Sequence, residues 1–382
     1  MEHKKVEIVE LLFDLVLVYA VSKTTGVIHE LNAAGQVAPS AYATFVVGFV
    51  IVMNAWMYQA VFTNRYGSNS PVDMLISFVN MAILLYLSNT ITPDWKSTFV
   101  PFTNSLGIIF ALQFLQYLLA YRKDKLADDR FFIRWYLLLT GVYAATLLIG
   151  AQLPYEIGIW FSLGGLVVNL VLPAVFHRRL NTIPLNWGHL VERLTLFVII
   201  TFGEMVVGLA AYFTVDTFSV SSLLVFATAV SLFVYYILQF DYMLDETRPN
   251  MSTALVQYAH IPIVLGLGMI TVSFTFMMEP EVDHVFLVTF LYAGLFLFFG
   301  GVYLCHGYNE PRFKPTASAL VAQIAIFVAA FVICLAACTS SFAVAVITTI
   351  ATIALSCVLG MFYLSRSKAV EEDAPSSETG RQ

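Results

Sequence analysis

VERLTLFVIITFGEMVVGL, residues 191–209, decides the fold. It is long and apolar enough for a helix across a bilayer, which takes about 20 residues. Yet it carries Glu192 and Arg193 at one end and Glu204 toward the other. Charges in such a segment are costly, and they face a partner helix, a cavity or the headgroup layer rather than hydrocarbon.

The rest of the chain is built of similar material. Its 382 residues are 59% hydrophobic and only 12% charged, and the mean hydropathy is +0.81. Soluble domains run at about 25% charged, so this chain has too little polar surface to cover a water-soluble core. It reads as an all-α polytopic integral membrane protein. The absence of a basic domain, zinc-finger pattern or charged arm argues against nucleic acid as a partner; membrane lipids, a small solute and protons are expected instead. The apolar N-terminal run is interrupted by Glu7, Glu10 and Asp14, and is read as a retained first span rather than a signal peptide. Cys305, Cys334, Cys338 and Cys357 all sit in apolar stretches. They are read as packing residues, with no metal or cofactor expected.

Twelve spans are expected, at 6–28, 40–62, 72–91, 99–120, 132–152, 156–176, 187–211, 218–240, 253–276, 284–306, 316–337 and 341–363. This count puts Lys96 alone on one side. Lys4, Lys5, Arg65, Arg122, Lys123, Lys125, Arg130, Arg134, Arg178, Arg179, Arg248, Arg312, Lys314, Arg366, Lys368 and Arg381 fall on the other. That bias is the positive-inside pattern, and it expects a cytoplasmic (inner) membrane protein with both termini in the cytoplasm. Twelve spans also suggest six plus six. At an offset of 182, Val9, Glu10, Leu12, Val16 and Gly26 meet Val191, Glu192, Leu194, Val198 and Gly208. The expected organisation is two parallel six-helix halves, 1–180 and 181–365, followed by a disordered tail, 366–382.

The interior charges are the candidate coupling or substrate groups: Glu10, Asp14, Lys23, Glu192, Arg193, Glu204 and His260. Glu7, Glu10 and Asp14 form one stripe on the first span, at i, i+3 and i+7. Counting depth from the span ends puts Glu10 level with Arg193 and Lys23 level with Glu204, a geometry that allows two crossed pairs between spans one and seven. His260, just before Pro262, is placed near the depth of Asp14. A histidine and a carboxylate in an interior can hand protons on, although a hydrogen bond to a backbone carbonyl freed by the proline is the plainer role for His260. Tyr258, Asn54, Asn80, Asn169, Gln113, Gln239 and Gln323 add polar groups to spans, many of them to hold helices together. GxxxxGK[ST], HExxH, GxSxG and CxxC do not occur, so energy from bound ATP hydrolysis is not supported within this chain.

Four ordered segments resemble a known family. ELLFDLVLVYAV, 10–21, resembles the amino-terminal signature of the bacterial low temperature requirement A proteins, and HLVERLTLFVIITFGEMVVGL, 189–209, resembles their second. NAWMYQAVFTNRY, 54–66, and YAHIPIVLGL, 258–267, resemble their Trp-containing span and their His-Pro segment. The resemblance implies that Glu10, Phe13, Asp14, Trp56, Asn64, Arg65, Glu192, Arg193, Gly203, Glu204 and His260 are the family's marked positions. Two departures stand out. Tyr66 to Ser70 replaces a run of acids, and Lys23 stands where a neutral polar residue is expected. The family is named for growth in the cold, and that name carries no substrate or mechanism.

The function expected from these features is a secondary transporter or permease of a small solute or ion, coupled to protons, rather than an enzyme. Two other classes compete: a membrane enzyme or lipid-handling factor in cold adaptation, and a non-catalytic sensor or assembly protein.

Overall fold

The computed structural model describes residues 4–123, 127–176, 185–245, 253–337 and 340–373. Lys125, Arg178, Arg179, Arg248, Arg381, Cys338 and the expected boundary between halves at 180/181 lie outside the described residues. The fold is all-helical. Among the described residues twelve long helices follow in order: α1 (Ile8–Gly26), α2 (Pro39–Tyr66), α3 (Pro71–Ser88), α4 (Trp95–Lys123), α5 (Ala127–Gly150), α6 (Tyr155–Val175), α7 (Trp187–Leu209), α8 (Val220–Ile237), α9 (Thr253–Phe276), α10 (His284–Leu304), α11 (Ala317–Ala336) and α12 (Ser341–Asp373). Among the described residues, eleven helices are long and apolar enough to cross a membrane. The remaining one, α1, carries Glu10, Asp14 and Lys23. It is packed against α2, α3, α7 and α9, so Glu10 and Asp14 meet helices rather than lipid, while Lys23 near its far end is exposed. The last helix runs on to Asp373, past the boundary expected at 366.

Local sequence sets where the helices begin. Ser70, Asn186, Asp283 and Thr316 accept the amides of Asp73, His189, Phe286 and Ala319, which stops the first-turn donors from being orphaned. Pro39 and Pro71 open α2 and α3, where a missing N–H costs nothing.

End contacts fix how the chain alternates. Lys4 Nζ donates to the carbonyls of Thr63 and Gly67, Arg65 pairs with Asp129, and Asn64 bonds to Asn186. The starts of α1, α5 and α7 and the end of α2 therefore share one end of the bundle. The segments after α8 and α10 bond to each other, Asp245 to Tyr308 and Glu310 to Met243, and join the same end because Trp187 of α7 donates to the Asp245 carbonyl. At the opposite end Lys96 pairs with Glu156, at the starts of α4 and α6. Gly35, in the left-handed region at φ 69°, offers its carbonyl there to Asp283 N. This alternation is the one twelve crossings require, and it separates Lys96 from Arg65, Arg134 and Arg312.

The interior is unevenly shared. About 83% of the apolar stretch of α2 and 78% of that of α9 lie inside the bundle, against 22% for α6 and 11% for α11. The first two are central pillars and the last two face lipid. The helices α9 and α10 approach closely. A Cβ on Gly266 would sit 2.5 Å from the Gly294 carbonyl oxygen, and one on Gly301 would sit 2.6 Å from Ile263 Cγ1. Only glycine permits that contact.

Candidate functional site

The site forms where the central pillar α2 meets α1 and α7. On α1, Glu10 and Asp14 are one turn apart on one face; on α7, so are His189 and Arg193. The two helices pack side by side, giving a ladder of two rungs. Glu10 Oε2 lies 2.9 Å from His189 Nε2. Asp14 Oδ1 and Oδ2 lie 2.5 and 3.2 Å from Arg193 Nη2 and Nε. Both rungs join residues 179 apart.

Neighbouring side chains complete each rung. Trp56 of α2 donates its indole N–H to Asp14 Oδ1 at 2.7 Å. The same ring lies 5.5 Å from the Arg193 guanidinium and stacks on Phe197, with ring centres 5.4 Å apart. Arg193 Nη1 donates to Thr63 Oγ1 at 2.7 Å. Asp14, His189 and Arg193 have no exposed surface, and Glu10 is 6% exposed. Charges so placed are tolerable only when paired and hydrogen-bonded, and these are.

The proton on His189 can be located. Asn64 and Asn186 exchange two bonds: Asn64 Nδ2 donates to the Asn186 carbonyl, and Asn186 N donates to Asn64 Oδ1, each at 2.9 Å. That exchange fixes the amide, so Nδ2 is the atom facing His189 Nδ1 at 3.0 Å. Nδ1 must accept. The ring proton therefore sits on Nε2 and is donated to Glu10.

At the same end lies a vestibule of about 170 Å³, lined by Lys4, Glu7, Glu10, Thr63, Ser77 and Gln116 among others. Glu10 is thus the member of the ladder that the vestibule reaches. The Lys4 ammonium closes the end of α2 by meeting its last carbonyls. Burial holds its pKa below the ordinary value, a fall that Glu10 and Glu7 oppose.

The crossed pairs allowed by span depth are corrected by this geometry. Arg193 bonds to Asp14, one turn deeper than Glu10, and Glu10 takes His189 instead. The level of each helix is set by its start, Ile8 for α1 and Trp187 for α7, rather than by the longer apolar runs. Lys23 does not reach Glu204: it is exposed, with Nζ 5.5 Å from the Tyr19 ring, while Glu204 is hydrogen-bonded by Ser22. His260 is fully buried, but its nitrogens meet the Val256 carbonyl at 2.7 Å and the Tyr236 hydroxyl at 3.0 Å, not the carboxylates of α1. The carbonyl that Pro262 frees belongs to Tyr258; His260 bonds one turn back from its own position. Glu192, the repeat partner of Glu10, is half-buried, and its Oε2 has no partner. His189 and Thr63 were not among the expected site residues. His189 had one legible signal, its i, i+4 spacing to Arg193.

Most of the other polar residues hold helices together. Asn54 donates to Asn169 at 2.7 Å, Asn169 to the Leu139 carbonyl at 3.2 Å, and Tyr258 to the Leu170 carbonyl at 2.9 Å. Gln239 bonds to Asn309, and Tyr235 donates to Gln323 at 2.8 Å.

Fold and site together define a polytopic helical membrane protein with a buried ionic ladder between its first and seventh helices. The model of the bacterial low temperature requirement A protein family (LtrA) matches residues 5–355, and the chain belongs to that family. It is also similar to a Rhizobium meliloti (strain 1021) protein described as uncharacterized, at 23% identity over 282 residues, covering 70% of this chain and 68% of that one.

Proposed function

We propose that the protein is a secondary transporter of a small solute, coupled to protons, in which two six-helix halves, 1–180 and 181–365, rock across the α1–α7 ladder. The observation that carries this reading is the ladder itself. It joins the first helix of each half through buried ionisable groups, and one of its acids, Glu10, lines a vestibule. Buried ion pairs are poor stabilisers compared with apolar packing, and intramembrane ionisable groups characteristically serve ion and substrate paths. Glu10 and His189 exchange a proton with the vestibule. Asp14 and Arg193 form the latch that opens as the halves move. Glu204, near the far end of α7, takes the proton at the other face. The gathering of basic residues at the vestibule end supports placing that end in the cytoplasm and the protein in the inner membrane.

Uptake of a metabolite panel into proteoliposomes under an imposed pH gradient tests this. Asp14→Asn is expected to abolish flux, and Glu204→Gln to uncouple it from the gradient. Normal coupled flux in both variants overturns the coupling role. A second reading, lipid handling, has one observation in its favour. An apolar cavity of about 320 Å³ opens between α2, α4, α5 and α6 at the opposite end, with Ile51, Phe99, Phe102 and Leu166 in its wall. A deletion strain with an altered lipid profile and unchanged solute uptake would favour that reading.

A further inference from the structure

Beneath the vestibule, four helices each place a polar residue one turn deeper than the one lining it. On α1, Asp14 follows Glu10. On α2, Gln59 lies beneath Thr63; on α3, Asn80 beneath Ser77; on α4, Gln113 beneath Gln116. Residues three or four apart share a helix face. At the helical rise, Gln59 is about 10 Å, and Asn80 and Gln113 are each about 15 Å, from the vestibule ends of their helices. They therefore lie at similar depth, reaching toward the bilayer centre.

These amides are unlike most polar groups around them, although the buried Tyr117 hydroxyl on α4 also has no partner. Gln59, Asn80, Gln113 and Gln116 are all at most 1% exposed. Neither the nitrogen nor the oxygen of Gln59, Asn80 or Gln116 has a partner, and Gln113 uses only its nitrogen, donating to the Ala55 carbonyl at 2.8 Å. Apart from Glu7, which is exposed at the mouth, the charged groups nearby are already answered. Asp14 is held by Arg193 and Trp56, Glu10 by His189, and Lys4 by carbonyls. Asp73, at the vestibule mouth, is held by the hydroxyls of Ser68 and Ser70 at 2.7 and 2.9 Å. What remains open is a set of amide N–H donors and amide oxygens with no net charge. Buried polar groups in native proteins are satisfied by something.

The geometry points to a binding site among α2, α3 and α4 for a small uncharged solute that both donates and accepts hydrogen bonds, entered through the vestibule. An ion would find no free counter-charge there and would lose its hydration. A polyol or a carboxamide would meet both kinds of open atom. Only in making the bound solute the transported one does this rest on the transport reading.

The test uses the full chain in nanodiscs and saturation-transfer NMR. Erythritol and acetamide are the uncharged probes; acetate and methylammonium are charged probes of similar size. The expected result is saturable contact from an uncharged probe and none from the charged ones, weakened at least tenfold in Asn80→Leu. Gln116→Met, at the vestibule floor, serves if Asn80→Leu does not fold. The site is overturned if neither uncharged probe makes contact, which would leave the amides to ordered water. Contact that is unchanged in both variants, or stronger for a charged probe, also overturns it. Binding without flux in proteoliposomes would keep this site and remove transport; flux that stops in Asp14→Asn without binding would do the reverse.

Discussion

Trp56 and Gln59 are neighbours on one face of α2, yet they belong to clusters that handle polarity in opposite ways. Trp56 closes a network in which Asp14, Arg193, Glu10 and His189 all have partners within the protein. Gln59 belongs to a group whose amides have almost none. The first cluster is complete without a ligand and serves contact between helices. The second is incomplete as it stands, and the incompleteness is what marks it as a place for something from outside.

Substitutions should separate the two by the sign of their effect on stability. The largest effect is expected from Arg193→Ala, which leaves Asp14 buried and unpaired at a cost of about 3–5 kcal/mol. Titration of the detergent-solubilised protein with denaturant measures it. The double variant Asp14→Leu with Arg193→Met should recover most of that loss, since no charge is left alone. Next is Asn64→Ala, which orphans His189 Nδ1 and the Asn186 amide, at about 1–3 kcal/mol by the same titration. In the amide group the sign should reverse. Asn80→Leu removes two unanswered atoms and should raise the stability of the solute-free protein by about 1 kcal/mol. A loss there as large as that of Asn64→Ala would erase the distinction between the clusters.

The smallest expected effect is on pH dependence. Burial holds the pKa of Lys4 below its ordinary 10.5. The unfolded chain then binds more protons than the folded one, so stability rises as pH climbs through the window between the lowered value and 10.5. Thermal melts across that window should show the rise, and Lys4→Met should flatten it.

The sequence made the spans legible because apolar runs of bilayer length are unambiguous, and it made Glu10, Asp14 and Arg193 legible because charge in such runs is rare. It did not yield their pairing. Which acid meets Arg193 depends on a one-turn difference in level, and apolar runs do not fix helix starts that closely. The start of span seven, 187, holds, while that of span one moves from 6 to Ile8 and brings Asp14 level with Arg193. His189 was hidden because a histidine at a span end also suits the headgroup layer. Gln59 and Gln116 were hidden for a related reason. A glutamine in a span usually means glue between helices, as Gln239 and Gln323 prove to be, and only the missing partners tell the two kinds apart.

The glycine contact between α9 and α10 bears on temperature. Two helices in lipid are not driven together by water, so their attraction comes from close atomic contact and hydrogen bonds. Hydrophobic attraction weakens on cooling. A contact in which Gly266 meets the backbone at Gly294, and Gly301 that at Ala259, has no such weakness. The central pillar α9 is therefore moored to α10 by an attachment that does not rest on the attraction that cooling weakens.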